Sequence, residues 1–197
     1  MFGVNVFTTC TKCKYYDFET KKISDFESCD IKISSYLLAG GIETLKYIIN
    51  KFNKSNHVYI MGIQYSKGDI QVAITGKKHI NESPIDAISR ELSEETGLML
   101  HETKSHDLYH FDFKNTNNYV IAASLLQSYK QTDDTEQETK DDPSRKVQIF
   151  IHGSFDDYLL LFNDINKRKL SFDTHSIVGL VLFSITDITN YYYKYLC

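Results

Sequence analysis

The sequence predicts a mixed α/β fold, a sandwich of helices on a sheet of mixed strand direction. Two observations lead there. Stretches with strand-like and helix-like patterns alternate along the chain, and they do so without a regular strand-helix-strand repeat. The chain has 197 residues, of which 42% are hydrophobic, enough for one ordinary globular core. Neither an internal repeat nor a sharp break in composition divides it, so residues 1–197 read as one domain, with 1–35 as an N-terminal elaboration.

Taken in order, the first 35 residues scatter tyrosines and phenylalanines among charges, a pattern compatible with short strands or a hairpin. From Ile42 to Phe52, the positions of Ile42, Leu45, Ile48, Ile49 and Phe52 give a helical stripe. His57 to Gln64 reads as a strand, Lys67-Gly68-Asp69 as a turn, and Ile70 to Thr75 as a second strand. Thr75 to Asn81 then reads as a loop. Ser83 to Thr96 carries the clearest helix signals. Ser83 is a good N-cap, Pro84 suits the first helical position, Asp86 stands where a capping box needs an acceptor, and Gly97 closes the helix. Ile85, Ile88 and Leu92, with Ala87 beside them, form its apolar stripe. Leu108–Phe113 and Tyr119–Leu126 read as strands, and residues 129–145 as a long acidic loop. Val147–Ile151 is a further strand. Ser154 caps a helix with Phe155, Tyr158, Leu159 and Phe162 on one face. Ile177–Phe183 is a strand, and Asp187–Leu196 a closing tyrosine-rich helix.

Charge and composition exclude some functions. The net charge of -4 offers no general attraction to nucleic acid, and DNA is not an expected partner. No apolar run approaches the ~20 residues that span a bilayer, and Met1–Cys10 lacks the basic and apolar regions of a signal peptide. The expectation is a soluble cytoplasmic protein that makes no membrane contact. Cys10 and Cys13 form a CxxC which, with Cys29 and His57, offers the makings of a zinc site. No second close pair matches it, and reduced thiols are the preferred reading.

The chemistry concentrates between Gly76 and Leu98. Glu91, Glu94 and Glu95 lie on one helix, and residues three and four apart are neighbours on a helix surface. Three carboxylates therefore crowd its C-terminal half, where the helix dipole is also negative. A cation relieves that repulsion, and hard oxygen ligands suit Mg²⁺ or Mn²⁺. Arg90 is placed to pair with a carboxylate and fix its rotamer. Glu82, just before the helix, is within reach of Arg90 or a further metal. On its own, such an acidic face is more often only solvated. The whole ordered pattern is what singles this one out.

That pattern resembles the Nudix box, Gly-x5-Glu-x7-Arg-Glu-U-x-Glu-Glu-x-Gly-U, where U is a bulky aliphatic residue. Gly76, Glu82, Arg90, Glu91, Leu92, Glu94, Glu95, Gly97 and Leu98 fill every defined position. The resemblance covers 23 of the 197 residues. It implies a Nudix-type α/β/α sandwich around a mixed sheet, and metal-dependent hydrolysis of a diphosphate linkage in a nucleoside diphosphate joined to another moiety. It implies Glu94, Glu95 and the backbone carbonyl of Thr75 as Mg²⁺ or Mn²⁺ ligands. Glu91 would be a further ligand or the group that orients and deprotonates water. Glu82 would assist another metal, and Arg90 would lock a glutamate. His79 stands where many members carry a loop glutamate, which removes that carboxylate role here.

The substrate is less legible. Glu136 and Glu138, in the acidic loop, are candidate bases or extra ligands, although such loops are usually just solvated. Lys77 and Lys78 are candidate phosphate contacts. Phe111 and Phe113, with Tyr109 and Tyr119, are candidate base-stacking groups or else core. His106, His110, His152 and His175 read as ordinary polar residues before they read as phosphate contacts. A small nucleotide or nucleotide sugar leads. Capped or 5′-diphosphate RNA follows, because Lys167-Arg168-Lys169 with Arg145-Lys146 makes a thin basic track. A non-catalytic nucleotide-binding protein is the third reading, and the complete glutamate set argues against it.

Overall fold

In the computed structural model the described residues are 13–25, 41–52, 55, 57–67, 70–98, 100, 108–113, 115–125, 141–167 and 176–195. Among them the chain forms nine strands and four helices. The strands are β1 (Lys14–Asp17), β2 (Ile23–Asp25), β3 (Tyr59–Tyr65), β4 (Ile70–Gln71), β5 (Ile74–His79), β6 (Tyr109–Phe113), β7 (Thr116–Ser124), β8 (Asp141–Gly153) and β9 (Ile177–Ser184). The helices are α1 (Gly41–Phe52), α2 (Pro84–Thr96), α3 (Phe155–Asn166) and α4 (Ile185–Tyr195).

The strands join in one mixed sheet, in the order β2-β1-β9-β3-β8-β7-β6, with β4 added to β3 and β5 added to β8. Every pairing is antiparallel except β7 with β8. The long strand β8 makes this branching work. Its C-terminal end pairs with β3 and its N-terminal part pairs with β5, from Ile149 opposite Ile74 to Asp141 opposite His79.

Strand side chains alternate between faces, and the interior accordingly forms two apolar cores. One joins Met61, Ile63, Val147, Ile149 and Leu182 to Ala87, Ile88 and Leu92 of α2 and to Tyr158, Leu161 and Phe162 of α3. The other joins Ile60, Val120, Phe150, Val181 and Phe183 to Ile48, Ile49 and Phe52 of α1 and to Ile185 of α4. Helices thus lie against both faces of the sheet, as the mixed α/β expectation requires. Truncating a fully buried side chain such as Leu92 to alanine costs about 2–5 kcal/mol in cores of this kind.

Several boundaries differ from the sequence expectation. The single strand expected over 70–75 is broken at Val72 and Ala73, and the second piece, β5, runs on to His79 through most of the expected loop. Pairing with β8 supplies the extension, because it gives those backbone groups partners that local sequence does not reveal. The acidic loop expected over 129–145 yields 141–145 to β8 for the same reason. Its remaining residues, with Glu136 and Glu138, lie outside the described residues. The N-terminal hairpin does form, and it extends the sheet beside β9. In α3 the buried stripe runs through Tyr158, Leu161 and Phe162 while Leu159 is exposed, a rotation of the face by about a sixth of a turn. No helix among the described residues is long and apolar enough to cross a membrane.

The thiols also depart from expectation. Cys13 is buried and disulfide-bonded rather than reduced, its partner lying outside the described residues. A sulfur in a disulfide is not a zinc ligand, so the CxxC reading does not hold at Cys13. Cys10, Cys29 and Cys197 lie outside the described residues.

Candidate functional site

The glutamate helix is fixed at both ends by local chemistry. Ser83 is extended, and its hydroxyl accepts from the Asp86 N–H at 3.1 Å. The Asp86 carboxylate turns to the Ser83 hydroxyl, 2.6 Å away, so the cap is not the reciprocal box expected from the sequence. At the far end Gly97 takes a left-handed φ of 68°, and its N–H reaches the Ser93 carbonyl. Ala87, Ile88 and Leu92 anchor one side to the sheet, with Glu91 at the edge of that side and Arg90 and Glu94 beyond it.

Glu91 rests directly on the backbone of β5. A Cβ at Gly76 would lie 1.8 Å from Glu91 Cδ and 2.0 Å from Oε1. No residue but glycine leaves room for the carboxylate there. Glu91 also accepts from the Lys77 backbone N–H and from Arg90 Nη1 at 2.9 Å. Its carboxyl is held above its ordinary pKa because burial outweighs the attraction of Arg90, and the nearby Glu94 pushes the same way.

Arg90 organises the cluster. Its Nε meets Glu82 Oε1 at 2.9 Å and its Nη2 meets Glu82 Oε2 at 3.2 Å. Its Nη1 serves both Glu91 and Glu94, the latter at 3.1 Å, and Nη2 also donates to the Lys77 carbonyl at 2.8 Å. The sequence led us to expect one partner, and the side chain has three. Burial works against the Arg90 charge, but the Glu82 hydrogen bonds and the Glu91 and Glu82 charges outweigh it and raise its pKa. For Glu82, burial raises the pKa, and the Arg90 and His79 hydrogen bonds more than reverse it, so the net direction is down. Glu82 is therefore a stable carboxylate that clamps the loop before α2 through the His79 N–H at 3.0 Å.

Glu95 is approached from elsewhere. The Tyr65 hydroxyl lies 3.1 Å from its Oε2 and 2.7 Å from Gln71 Oε1, and Gln71 Nε2 lies 2.6 Å from Thr75 Oγ1. Tyr65 and Gln71 were not identified from the sequence. The signal available was the hairpin between the two predicted strands, whose pairing sets Ile63 opposite Gln71 and so brings the two ends together.

One of the expected substrate contacts is corrected, and for another the core alternative is the one the packing favours. Lys78 is 2% exposed, and its ammonium donates to the carbonyls of His79, Ile80 and Glu82. It ties the loop before α2 together instead of facing a substrate. Phe111 packs with Tyr109 and Tyr47 on the α1 face of the sheet, opposite the core that carries α2. The side chain of Phe113 is outside the described residues, as are those of His106 and His175. Lys77 is exposed on β5 with its backbone tied into the site, as a phosphate contact would need. His152 is partly buried against Phe52, and that burial with the nearby Lys51 charge lowers its pKa to about 4. His110 stacks on Tyr119.

Carboxylate oxygens are the ligand type that a hard dication takes. Two carboxylate oxygens, from Glu91 and Glu94, already converge on one cationic nitrogen, Arg90 Nη1, which stands in for positive charge at that point. With Arg90 so placed, no three His, Cys, Asp or Glu side chains among the described residues close around a common point. Holding an ion would require Glu91 or Glu94 to exchange Arg90 for it. Compared with known proteins, the chain matches no family model, no curated protein and no solved structure.

Proposed function

We propose that the chain is a Nudix-type hydrolase of α/β/α architecture that uses Mg²⁺ or Mn²⁺ to cleave a diphosphate linkage in a nucleoside diphosphate-X substrate, a small nucleotide or nucleotide sugar. One observation carries the reading. Five of the nine defined positions of the box meet in three dimensions, with Glu91 seated on Gly76 and Arg90 joining Glu82, Glu91 and Glu94. A merely solvated acidic face has no need of a glycine reserved for one of its carboxylates.

In this reading Glu94, Glu95 and the Thr75 carbonyl would hold the metal, with Glu91 a further ligand or the group that orients and deprotonates water. When bound, a dication would lower the pKa of water and neutralise charge on the phosphate oxygens. The residues do the rest. Water oxygen forms a bond to one phosphorus, the bridging P–O bond breaks, and the departing phosphate leaves with the bond's electron pair. Where Glu91 is not a ligand it takes the proton of the attacking water, and the upward direction of its pKa in the metal-free protein suits a base of this kind. Arg90 and Glu82 keep α2 and its preceding loop in register. Lys77, exposed beside the site, meets a phosphate oxygen.

The test is a substrate panel with Mg²⁺ or Mn²⁺, spanning nucleoside triphosphates, ADP-ribose, dinucleoside polyphosphates and capped RNA. The expected result is metal-dependent release of two phosphorylated products from a small nucleotide, abolished in Glu91→Gln. Preference for capped RNA would move the substrate class, and absence of phosphoanhydride cleavage throughout would overturn the proposal.

A further inference from the structure

A guanidinium carries five N–H donors in a fixed fork and no acceptor. Arg90 uses all of them. Three serve one side: Nε and Nη2 donate to the two Glu82 oxygens at 2.9 and 3.2 Å, and Nη2 donates also to the Lys77 carbonyl at 2.8 Å. The two N–H groups of Nη1 serve the other, reaching Glu91 Oε1 at 2.9 Å and Glu94 Oε2 at 3.1 Å. The two sides are held unequally. Glu82 is 13% exposed and is fixed a second time by the His79 N–H. Glu94 is 53% exposed, and Nη1 is its one side-chain partner among the described residues. Glu91 keeps its seat on Gly76 and the Lys77 N–H with or without Nη1.

We propose that Arg90 is a resident counter-ion of the glutamate cluster, which a divalent cation displaces at Nη1 while Nε and Nη2 stay anchored on Glu82 and the Lys77 carbonyl. The inference rests on the hydrolase reading above. It starts from a mismatch: the described residues offer no ready-made metal cage, because the cluster is closed around the guanidinium. Three carboxylates share one positive charge there, so negative charge remains in excess when all three are ionised. A dication in place of Nη1 brings twice the charge of the guanidinium to the exposed pair. A monovalent cation brings no more charge than the guanidinium and lacks its directed hydrogen bonds, so it gains nothing by the exchange. The three-donor side lets Arg90 yield Nη1 without releasing the loop before α2. One side chain therefore holds the metal-free site together and sets a charge threshold for what enters it.

The experiment is calorimetric titration of the metal-free protein with Mn²⁺ alone, for wild type and Arg90→Gln, alongside thermal unfolding without metal. The sign of the change separates the two roles open to Arg90. A residue that only positions the glutamates makes the variant bind Mn²⁺ more weakly. A resident counter-ion makes it bind about tenfold more tightly, the order expected for two partly exposed ion pairs removed from the competition. The midpoint of unfolding without metal should fall. Equal or weaker Mn²⁺ binding by the folded variant would overturn this inference and leave the hydrolase reading standing. NMR of the arginine side-chain N–H groups in wild type carries the test should Arg90→Gln fail to fold, and the chain has only three arginines to assign. At saturating Mg²⁺ the Nη1 signals of Arg90 should move while Nε keeps its position, and K⁺ should move neither. Unmoved Nη1 signals, or movement with K⁺ alone, would overturn the inference. A wild-type protein that binds neither Mn²⁺ nor Mg²⁺ would overturn the hydrolase reading with it.

Discussion

Gly76→Ala isolates the closest approach in the site. The added methyl would lie 1.8 Å from Glu91 Cδ, 2.0 Å from Oε1 and 2.3 Å from Cγ, so the two groups cannot coexist. The backbone of Gly76 is paired with Val147 on β8, and the end of the Glu91 side chain is what yields. The carboxylate then gives up Arg90 Nη1 and the Lys77 N–H. A charge-assisted hydrogen bond contributes about 1.5–3 kcal/mol net. Against that, burial already disfavours the ionised Glu91, so a carboxylate moved outward regains solvation. Replacing glycine also reduces the freedom of the unfolded chain, worth about 0.4–1 kcal/mol. The net change in stability should be about 1 kcal/mol, a shift of about 2–4 °C in Tm for a chain of this size. Activity should fall far more, about 10²–10³-fold, since a displaced catalytic carboxylate forfeits both positioning and charge. Initial rates of phosphoanhydride hydrolysis and thermal unfolding measure the two effects separately. Glu91→Gln should match the loss of rate, and the double variant should lose no more than either alone. Wild-type turnover in Gly76→Ala, or multiplying losses in the double variant, would refute the reasoning.

Other outcomes follow from individual side chains. Glu91→Gln should be no less stable than wild type at pH 7 to 8. The folded-state pKa is raised, so ionisation of Glu91 weighs against folding as pH rises above its ordinary value, and equilibrium unfolding of the two proteins should converge near pH 4. Lys78→Met should cost about 2–4 kcal/mol, as three loop carbonyls lose one buried donor, and the folded variant should keep its substrate KM. A raised KM without loss of stability would instead make Lys78 a substrate contact. His152 is neutral in the fold to about pH 4, whereas an unfolded histidine protonates near 6.5. Its contribution to stability is fully present above 6.5 and is lost as pH falls towards 4, by about 3 kcal/mol. His152→Gln should flatten that part of the stability profile, and an unchanged slope would contradict the burial argument.

What the sequence revealed and what it hid divide along a physical line. The helix Pro84–Thr96 was legible because its signals are local: a capping serine, a proline at the first turn, an apolar stripe and a terminal glycine. The glutamate cluster was legible because helical spacing alone sets Glu91 beside Glu94. The extension of β5 to His79 and the start of β8 at Asp141 were hidden, because each depends on a partner about 70 residues away along the chain. Lys78 was misread for a related reason. Its neighbour Lys77 is exposed, and strand alternation turns Lys78 inward once residues 74–79 are a strand and not a loop. Phe111 stayed open between stacking group and core, because periodicity shows that an aromatic faces one side of a sheet but not which helix covers that side. Tyr65 and Gln71 lie outside the box and became visible only when the hairpin brought them to Glu95.

The most direct measurement is anomalous diffraction from crystals soaked in Mn²⁺. The account predicts a peak within coordination distance of the Glu91, Glu94 and Glu95 carboxylates, with Arg90 released from at least one of them. Crystals that diffract well and show Arg90 still joining Glu91 to Glu94, with no manganese beside the helix, would contradict it.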